Sequence, residues 1–295
     1  MSQTQAVSAA AAGTITLGGD LTVNRLGYGA MRITGKGIWG PPEDKAAALA
    51  TLRRAVELGV NMIDTADSYG PNISEELIAE ALYPYPTGVA VATKGGWERC
   101  GPGQWLHNAG PRHLTEAVEG SLKRLRLDRI DVYQLHVPDP AVSYDASMDT
   151  LAKLREQGKI RHVGLSNVTQ EHVERGRKIV PIVSVQNRYS FADREWDYLL
   201  NYCEQHGIAF MPWAPLGQNR KALEVLEKIA KELGATTLQV GLAWLLKRSK
   251  ITLPIPGTSS PAHVEENIAA AGLELPDAAF KELSAITPPP MSYRA

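Results

Sequence analysis

The sequence predicts a single (β/α)8 TIM barrel. Three observations lead there. Eight short apolar runs, rich in Val, Ile or Leu, recur along the chain near residues 26–29, 60–63, 89–93, 130–135, 160–165, 182–186, 208–212 and 251–255. Amphipathic stretches of helical period separate many of them. No linker, repeat boundary or shift in composition interrupts the series, as a two-domain chain would require. Runs of this kind suit strands buried on both faces of a parallel sheet.

Residues 1–13 are rich in Ala, Ser and Gln and carry no Lys or Arg. They lack the basic and apolar regions of a signal peptide and read as a disordered tail. The barrel domain is assigned to residues 14–295. It opens with Thr14–Leu17 and Leu21–Val23, two alternating runs around Gly18-Gly19, which predict a β-hairpin. The spacing predicts helices over Asp44–Leu58, Arg112–Leu127, Asp145–Gln157, Asp193–His206 and Leu238–Arg248. Gly59, Gly88, Gly158 and Gly207 each stand where the chain must turn into the next strand. Two extra helices, Pro261–Ala270 and Pro276–Ile286, end the chain.

Composition narrows the functional classes. The chain has 295 residues, with 31 Lys+Arg against 32 Asp+Glu and a formal net charge of -1. That balance disfavours a nucleic-acid partner, which needs a basic excess. With 44% hydrophobic residues and no apolar run of about 20, a membrane-spanning protein is not expected. Two cysteines, Cys100 and Cys203, fit a reducing, cytoplasmic setting. The histidines show no metal-ligand spacing, so no metal is expected. Gly35-Lys36-Gly37-Ile38-Trp39-Gly40 is a literal G-x-G-x-x-G, but Pro41-Pro42 follows it and no strand leads straight into it, so it reads as a loop after the first strand.

In such a barrel the chemistry belongs at the C-terminal ends of the strands. Strand two runs into Asp64, strand three into Lys94 and strand four into His136, and Tyr69 lies in the loop after Asp64. Taken singly, Asp64 could cap a helix, Lys94 could be a solvated rim residue and His136 a half-buried histidine. Taken together on successive strands, they can deliver a proton. An alkoxide left by hydride arrival at a carbonyl carbon needs one, and Tyr69 can donate it. A Lys ammonium ~4 Å away is worth ~4 kcal/mol at an effective dielectric near 20. The sequence therefore predicts a phenol drawn down towards the working pH, with Asp64 bracing Lys94 and His136 orienting the carbonyl oxygen.

Asp64-Thr65-Ala66-x-x-Tyr69-Gly70, Lys94 after a β run and His136 after Tyr-Gln-Leu resemble the catalytic tetrad of the aldo-keto reductase superfamily. The likeness spans nearly the whole chain and is most similar to bacterial pyridoxal-reductase-like members. It implies NAD(P)H-dependent interconversion of carbonyls and alcohols in a metal-free barrel. It also implies that Ser166, Asn167 and Gln186 meet the nicotinamide carboxamide and that Trp213 stacks on its ring. The Leu216-Gly217 backbone would approach the pyrophosphate, and Ala214 and Pro215 would bind the cofactor beside it. Gly257, Thr258, Ser259, His263, Glu266 and Asn267 would hold the adenosine end, on a segment that opens a helix. Many members carry Lys and Arg where this chain has Gly257 and His263, the pair that grips the 2′-phosphate of NADP. Arg220 is a candidate substitute. By this analogy NADP(H) is favoured over NAD(H).

Trp39 and Trp97 are expected to wall the substrate pocket, with Trp105 beside them in a long loop after strand three. The expected partner is a small-molecule carbonyl, pyridoxal or an aromatic aldehyde, and the expected state a monomer or weak homo-oligomer. Two other classes stay open: a redox-sensing regulatory subunit that binds NADP(H) and turns over slowly, and an aldolase using Lys94 as a Schiff base.

Overall fold

The computed structural model describes residues 7–215 and 220–286. A curled, seven-stranded parallel sheet forms most of the barrel wall. Its strands are β3 (Tyr28–Gly29), β4 (Met62–Asp64), β5 (Ala90–Gly95), β8 (Ile130–Leu135), β9 (Ile160–Ser166), β10 (Ile182–Gln186) and β11 (Ala209–Phe210), paired in that order. The eighth run, near residues 251–255, closes the wall without a regular ladder. Phe210 N–H donates to the Ile251 carbonyl and Leu253 N–H to the Phe210 carbonyl, at 2.9 and 2.8 Å. On the other side Gly27 and Gly29 N–H donate to the carbonyls of Pro254 and Pro256, at 2.9 and 3.2 Å. Two prolines remove the donors that a full strand needs, yet their carbonyls still bridge to β3. The architecture is the expected (β/α)8 barrel.

Strand parity sorts the core into two parts. Met62, Ala90, Ala92, Val132 and Leu253 point inward and pack in one cluster with Leu17, Leu21 and Val23. These last three come from the predicted hairpin, β1 (Thr14–Leu17) and β2 (Leu21–Asn24), which plugs the N-terminal end of the barrel. Asn24 fixes the plug: its Nδ2 donates to the Gly59 carbonyl at 2.6 Å, and its N–H donates to Asn61 Oδ1 at 2.7 Å. Ile63, Val91, Tyr133 and Val163 point outward into the larger cluster beneath the helices.

The helices are α1 (Lys45–Glu57), α2 (Ile73–Leu82), α3 (Pro111–Leu125), α4 (Tyr144–Glu156), α5 (Gln170–Gly176), α6 (Asp197–Gln205), α7 (Arg220–Leu233), α8 (Thr237–Arg248), α9 (Pro261–Ala269) and α10 (Asp277–Ser284). Their starts follow local chemistry. Asp44 caps α1 by accepting from Ala47 N–H, Pro111 begins α3, and Thr236 forms a capping box with Gln239 before α8. Among the described residues no helix is long and apolar enough to cross a membrane.

Three expectations are corrected. The tail is ordered from residue 7 onward as far as the structure describes it: Ala9–Ala12 form a 3-10 helix, Ala9 is fully buried, and its N–H donates to the Leu58 carbonyl at 2.8 Å. Small side chains let this segment lie close against the foot of α1. The helix expected from Asp193 starts instead at Asp197, because Asp193 closes a turn with Ser190 and pairs with Arg188 at 2.6 Å. The long loop after the third barrel strand is a β-hairpin, β6 (Trp97–Gly101) with β7 (Gln104–His107), turning at Pro102-Gly103.

Candidate active site

Inward parity continues past the apolar layer. Lys94 follows Ala90 and Ala92, Asp64 follows Met62, and Gln134 and His136 follow Val132. The register places Asp64 opposite Ala92 and Lys94 opposite Gln134, so the polar residues converge at the C-terminal mouth. Lys94 is fully buried, and its Nζ donates to Asp64 Oδ2 at 2.7 Å, to the Thr65 carbonyl at 2.8 Å and to Tyr69 Oη at 3.5 Å. Asp64 Oδ1 accepts from Gln186 Nε2 at 2.8 Å and from Gln134 Nε2 at 3.5 Å. A buried ion pair of this kind is costly unless its remaining donors and acceptors are met, and here they are.

Tyr69 reaches the mouth because its loop doubles back. Tyr69 N–H donates to the Ala66 carbonyl at 3.2 Å, and Asn72 N–H to the Asp67 carbonyl at 2.7 Å. Gly70 makes the reversal at φ +106°, where a Cβ would come within 2.5 Å of Ile73 Cβ. Only glycine fits that conformation and that space. His136 stands across from Tyr69, with ring centroids 5.8 Å apart.

Electrostatics correct one expectation. Burial raises the Tyr69 phenol above its ordinary value, and Lys94 offsets only part of that rise. Near-complete burial outweighs the single nearby cation. Burial alone would lower the Lys94 value, but Asp64 and Tyr69 together push it above the usual lysine range. Burial and the Lys94 charge hold His136 well below the usual histidine range, so its imidazole is neutral. Ser68 Oγ lies 3.4 Å from His136 Nδ1. A hydroxyl donated there leaves the proton on Nε2.

An aromatic wall faces this group. Trp97 and Trp105 present their rings to His136 at 6.3 and 6.5 Å and to each other at 5.8 Å. Trp39 lies nearby, 5.7 Å from the Arg99 guanidinium. Beside the wall a cleft of about 650 Å3 runs from Trp105 along Met31–Ile38 to Gly257, Thr258 and Ser259. Arg32 and Lys36 are the cations in its lining.

The remaining anticipated residues follow the mouth around. Ser166 is buried, and its Oγ accepts from Asn167 Nδ2 at 3.2 Å. Asn167 adopts φ +55° and also donates to the His136 carbonyl at 3.1 Å. Gln186 does not reach outward with its amide nitrogen, which is engaged by Asp64. Trp213 is 36% exposed, a large ring left open, and Ala214 beside it has φ +55°. Pro215 follows; Leu216, Gly217 and the Arg220 side chain lie outside the described residues. Thr258 Oγ1 lies 3.5 Å from His263 Nδ1 and accepts from Ser260 N–H at 3.1 Å. Glu266 is half-buried, and Asn267 is buried with no partner on Oδ1. That orphaned acceptor, the open Trp213 ring and the cleft fit a dinucleotide along this rim.

Sequence reasoning missed Ser68, Gln134 and Arg99. Ser68 and Arg99 carry no motif of their own. Gln134 was visible by parity, two residues before His136.

Comparison with known proteins places this geometry. Residues 25–288 match the model of the aldo/keto reductase family. The chain is 48% identical over 280 residues to an uncharacterized oxidoreductase of Schizosaccharomyces pombe, covering 94% of this chain and 91% of the other. It is 45% identical over 281 residues to pyridoxine 4-dehydrogenase of Escherichia coli, covering 93% and 98%. Among solved structures it resembles an aldo/keto reductase of Klebsiella pneumoniae in complex with NADP and acetate, with a TM-score of 0.79, 27% identity and coverage of 95% and 97%. The buried lysine and tyrosine therefore stand in the barrel mouth of an oxidoreductase, and the chain belongs to the aldo/keto reductase family.

Proposed function

We propose that this protein reduces an aldehyde or ketone to the alcohol with a nicotinamide cofactor, NADP(H) in preference to NAD(H). One observation carries the reading: Lys94, fully buried and salt-bridged to Asp64, aims its ammonium at Tyr69 Oη. When bound, the reduced nicotinamide supplies the hydride. Tyr69 holds its proton firmly in the closed site and gives it to the carbonyl oxygen as that oxygen becomes an alkoxide, a far stronger base than a phenolate. Lys94 stabilises the phenolate left behind. Asp64 keeps Lys94 charged and in place. His136, neutral and with its Nε2 proton free, donates to the same carbonyl oxygen and orients it.

Ser166, Asn167, Trp213 and the Ala214–Gly217 stretch would hold the nicotinamide and pyrophosphate. Gly257, Thr258, Ser259, His263, Glu266 and Asn267 would hold the adenosine end. The NADP-bound Klebsiella relative supports the cofactor preference, as do Arg32 and Lys36 beside Thr258 and Ser259. The pyridoxine 4-dehydrogenase relative and the tryptophan wall support a flat aromatic substrate, with pyridoxal the leading choice. The test is titration of NADPH and NADH by Trp fluorescence, then turnover on a carbonyl panel that includes pyridoxal. Tighter NADPH binding with steady oxidation by an aromatic aldehyde is expected. Tight cofactor binding without turnover on any carbonyl would contradict the reading and favour a sensor.

A further inference from the structure

Arg99 sits outside the tetrad, on β6, and its bonding is unusual. A guanidinium has five N–H donors, and Arg99 directs all of them at backbone carbonyls. Nε donates to Gln104 at 3.0 Å. Nη1 donates to Ile38 at 2.9 Å and Ser68 at 2.8 Å. Nη2 donates to Gly37 at 3.1 Å and Gly101 at 3.4 Å. These acceptors belong to three separate segments: the loop after β3, the Tyr69 loop after β4, and the β6–β7 hairpin itself. The flat face of the same guanidinium lies 3.7 Å from the Trp105 ring centroid, a cation–π stack.

No donor is left for a substrate. The group instead fixes where three loops meet, and each loop delivers something to the mouth. The first brings Trp39, the second brings Ser68 and Tyr69, and the hairpin brings Trp97 and Trp105. Across the hairpin Arg99 pairs with Trp105, and Trp97 with His107, so the arginine and the two tryptophans share one short ribbon. Trp97 and Trp105 then stand edge-on to each other and to His136. Two indole rings therefore stand as an aromatic wall beside the imidazole that faces Tyr69, a surface suited to a planar ring.

We infer that Arg99 is a positioning residue that staples the three mouth loops and thereby makes the site selective for flat aromatic carbonyls over straight-chain ones. This rests on the carbonyl-reductase reading for its substrate class, but the staple itself does not. A lysine keeps the charge and loses the planar fork, so it cannot serve all three loops.

The experiment compares wild type, Arg99→Ala and Arg99→Lys, with benzaldehyde and hexanal as probes and NADPH as reductant. Near-ultraviolet circular dichroism reads the coupled Trp97–Trp105 pair, and melting temperature and NADPH binding check that the barrel is intact. Both variants are expected to lose the coupled-Trp signal and to raise the KM for benzaldehyde about tenfold. The hexanal KM should stay within about twofold of wild type. An unchanged Trp signal, or an unchanged benzaldehyde KM, in Arg99→Ala overturns the inference. Wild-type behaviour of Arg99→Lys overturns the need for the planar fork. Loss of the Trp signal in a protein whose wild type reduces neither aldehyde sustains the staple and sinks the reductase reading instead.

Discussion

Lys94 carries the most consequence per atom. A lysine with no exposed surface survives as a cation because Asp64 balances its charge and Asp64, the Thr65 carbonyl and Tyr69 accept its hydrogen bonds. Taken alone in the sequence it could be a solvated rim residue; its place on the strand beside Asp64 and His136 made it a catalytic candidate, and inward parity buries it at the centre of the site. The acidities follow from the same enclosure. The Tyr69 phenol is raised and the His136 imidazole lowered, so over the neutral range Tyr69 stays protonated and His136 stays neutral. The proposed carbonyl reduction uses the protonated phenol. Its rate is lost only as pH rises through the raised Tyr69 value, beyond the ordinary ~10 of a tyrosine. The expected kcat profile for reduction is therefore flat across neutral and mildly alkaline pH. A limb centred near the ordinary ~6.5 of histidine would contradict these assignments. The direction of the Tyr69 shift was not legible in the sequence, because spacing reveals the cation beside the phenol but not how completely the loop encloses both.

At the scale of elements, the Tyr69 loop and the β6–β7 hairpin decide the site. The strands that carry Asp64, Lys94 and His136 are readable from apolar runs, since buried parallel strands leave a continuous hydrophobic signature. The hairpin was not readable. Its residues alternate around polar groups that face a pocket rather than a core, and Arg99, Glu98 and Gln104 hide a strand pattern there. The closing run near residues 251–255 was found by its apolar character, although its prolines keep it from forming a regular ladder. Gly70 gives the loop its test. At φ +106° an alanine is strained and its Cβ meets Ile73. Gly70→Ala should displace Tyr69, cutting kcat/KM by more than about tenfold at a stability cost of ~1–3 kcal/mol, with NADPH affinity kept. Kinetics beside a cofactor titration reads this, and full activity in the variant would refute the role given to the turn.

The whole molecule divides its labour between two ends. The hairpin Thr14–Asn24 fills the N-terminal end with Leu17, Leu21 and Val23, while the titratable side chains gather at the other. The sequence showed this division through the series of strand–helix units, which occupy most of the chain. It did not show that the segment before the hairpin packs too, because alanines carry little pattern even when one of them is fully buried. The near-neutral total charge likewise concealed Arg32 and Lys36 beside Thr258 and Ser259, a local excess that only folding assembles. Leu17 is 1% exposed at the plug. Leu17→Ala should cost ~2–5 kcal/mol of stability in denaturant unfolding and leave the carbonyl KM unchanged. A KM that moved with it would couple the two ends, which the structure keeps apart.

The central claim is that Tyr69, protonated beside the charged Lys94, supplies the proton. It is tested most directly by single-turnover reduction of an aromatic aldehyde on Tyr69→Phe already loaded with NADPH. The account predicts a loss of at least about a hundredfold in the rate of nicotinamide oxidation, with NADPH affinity near that of wild type. A variant that oxidises the cofactor at the wild-type rate would show that another group carries the proton.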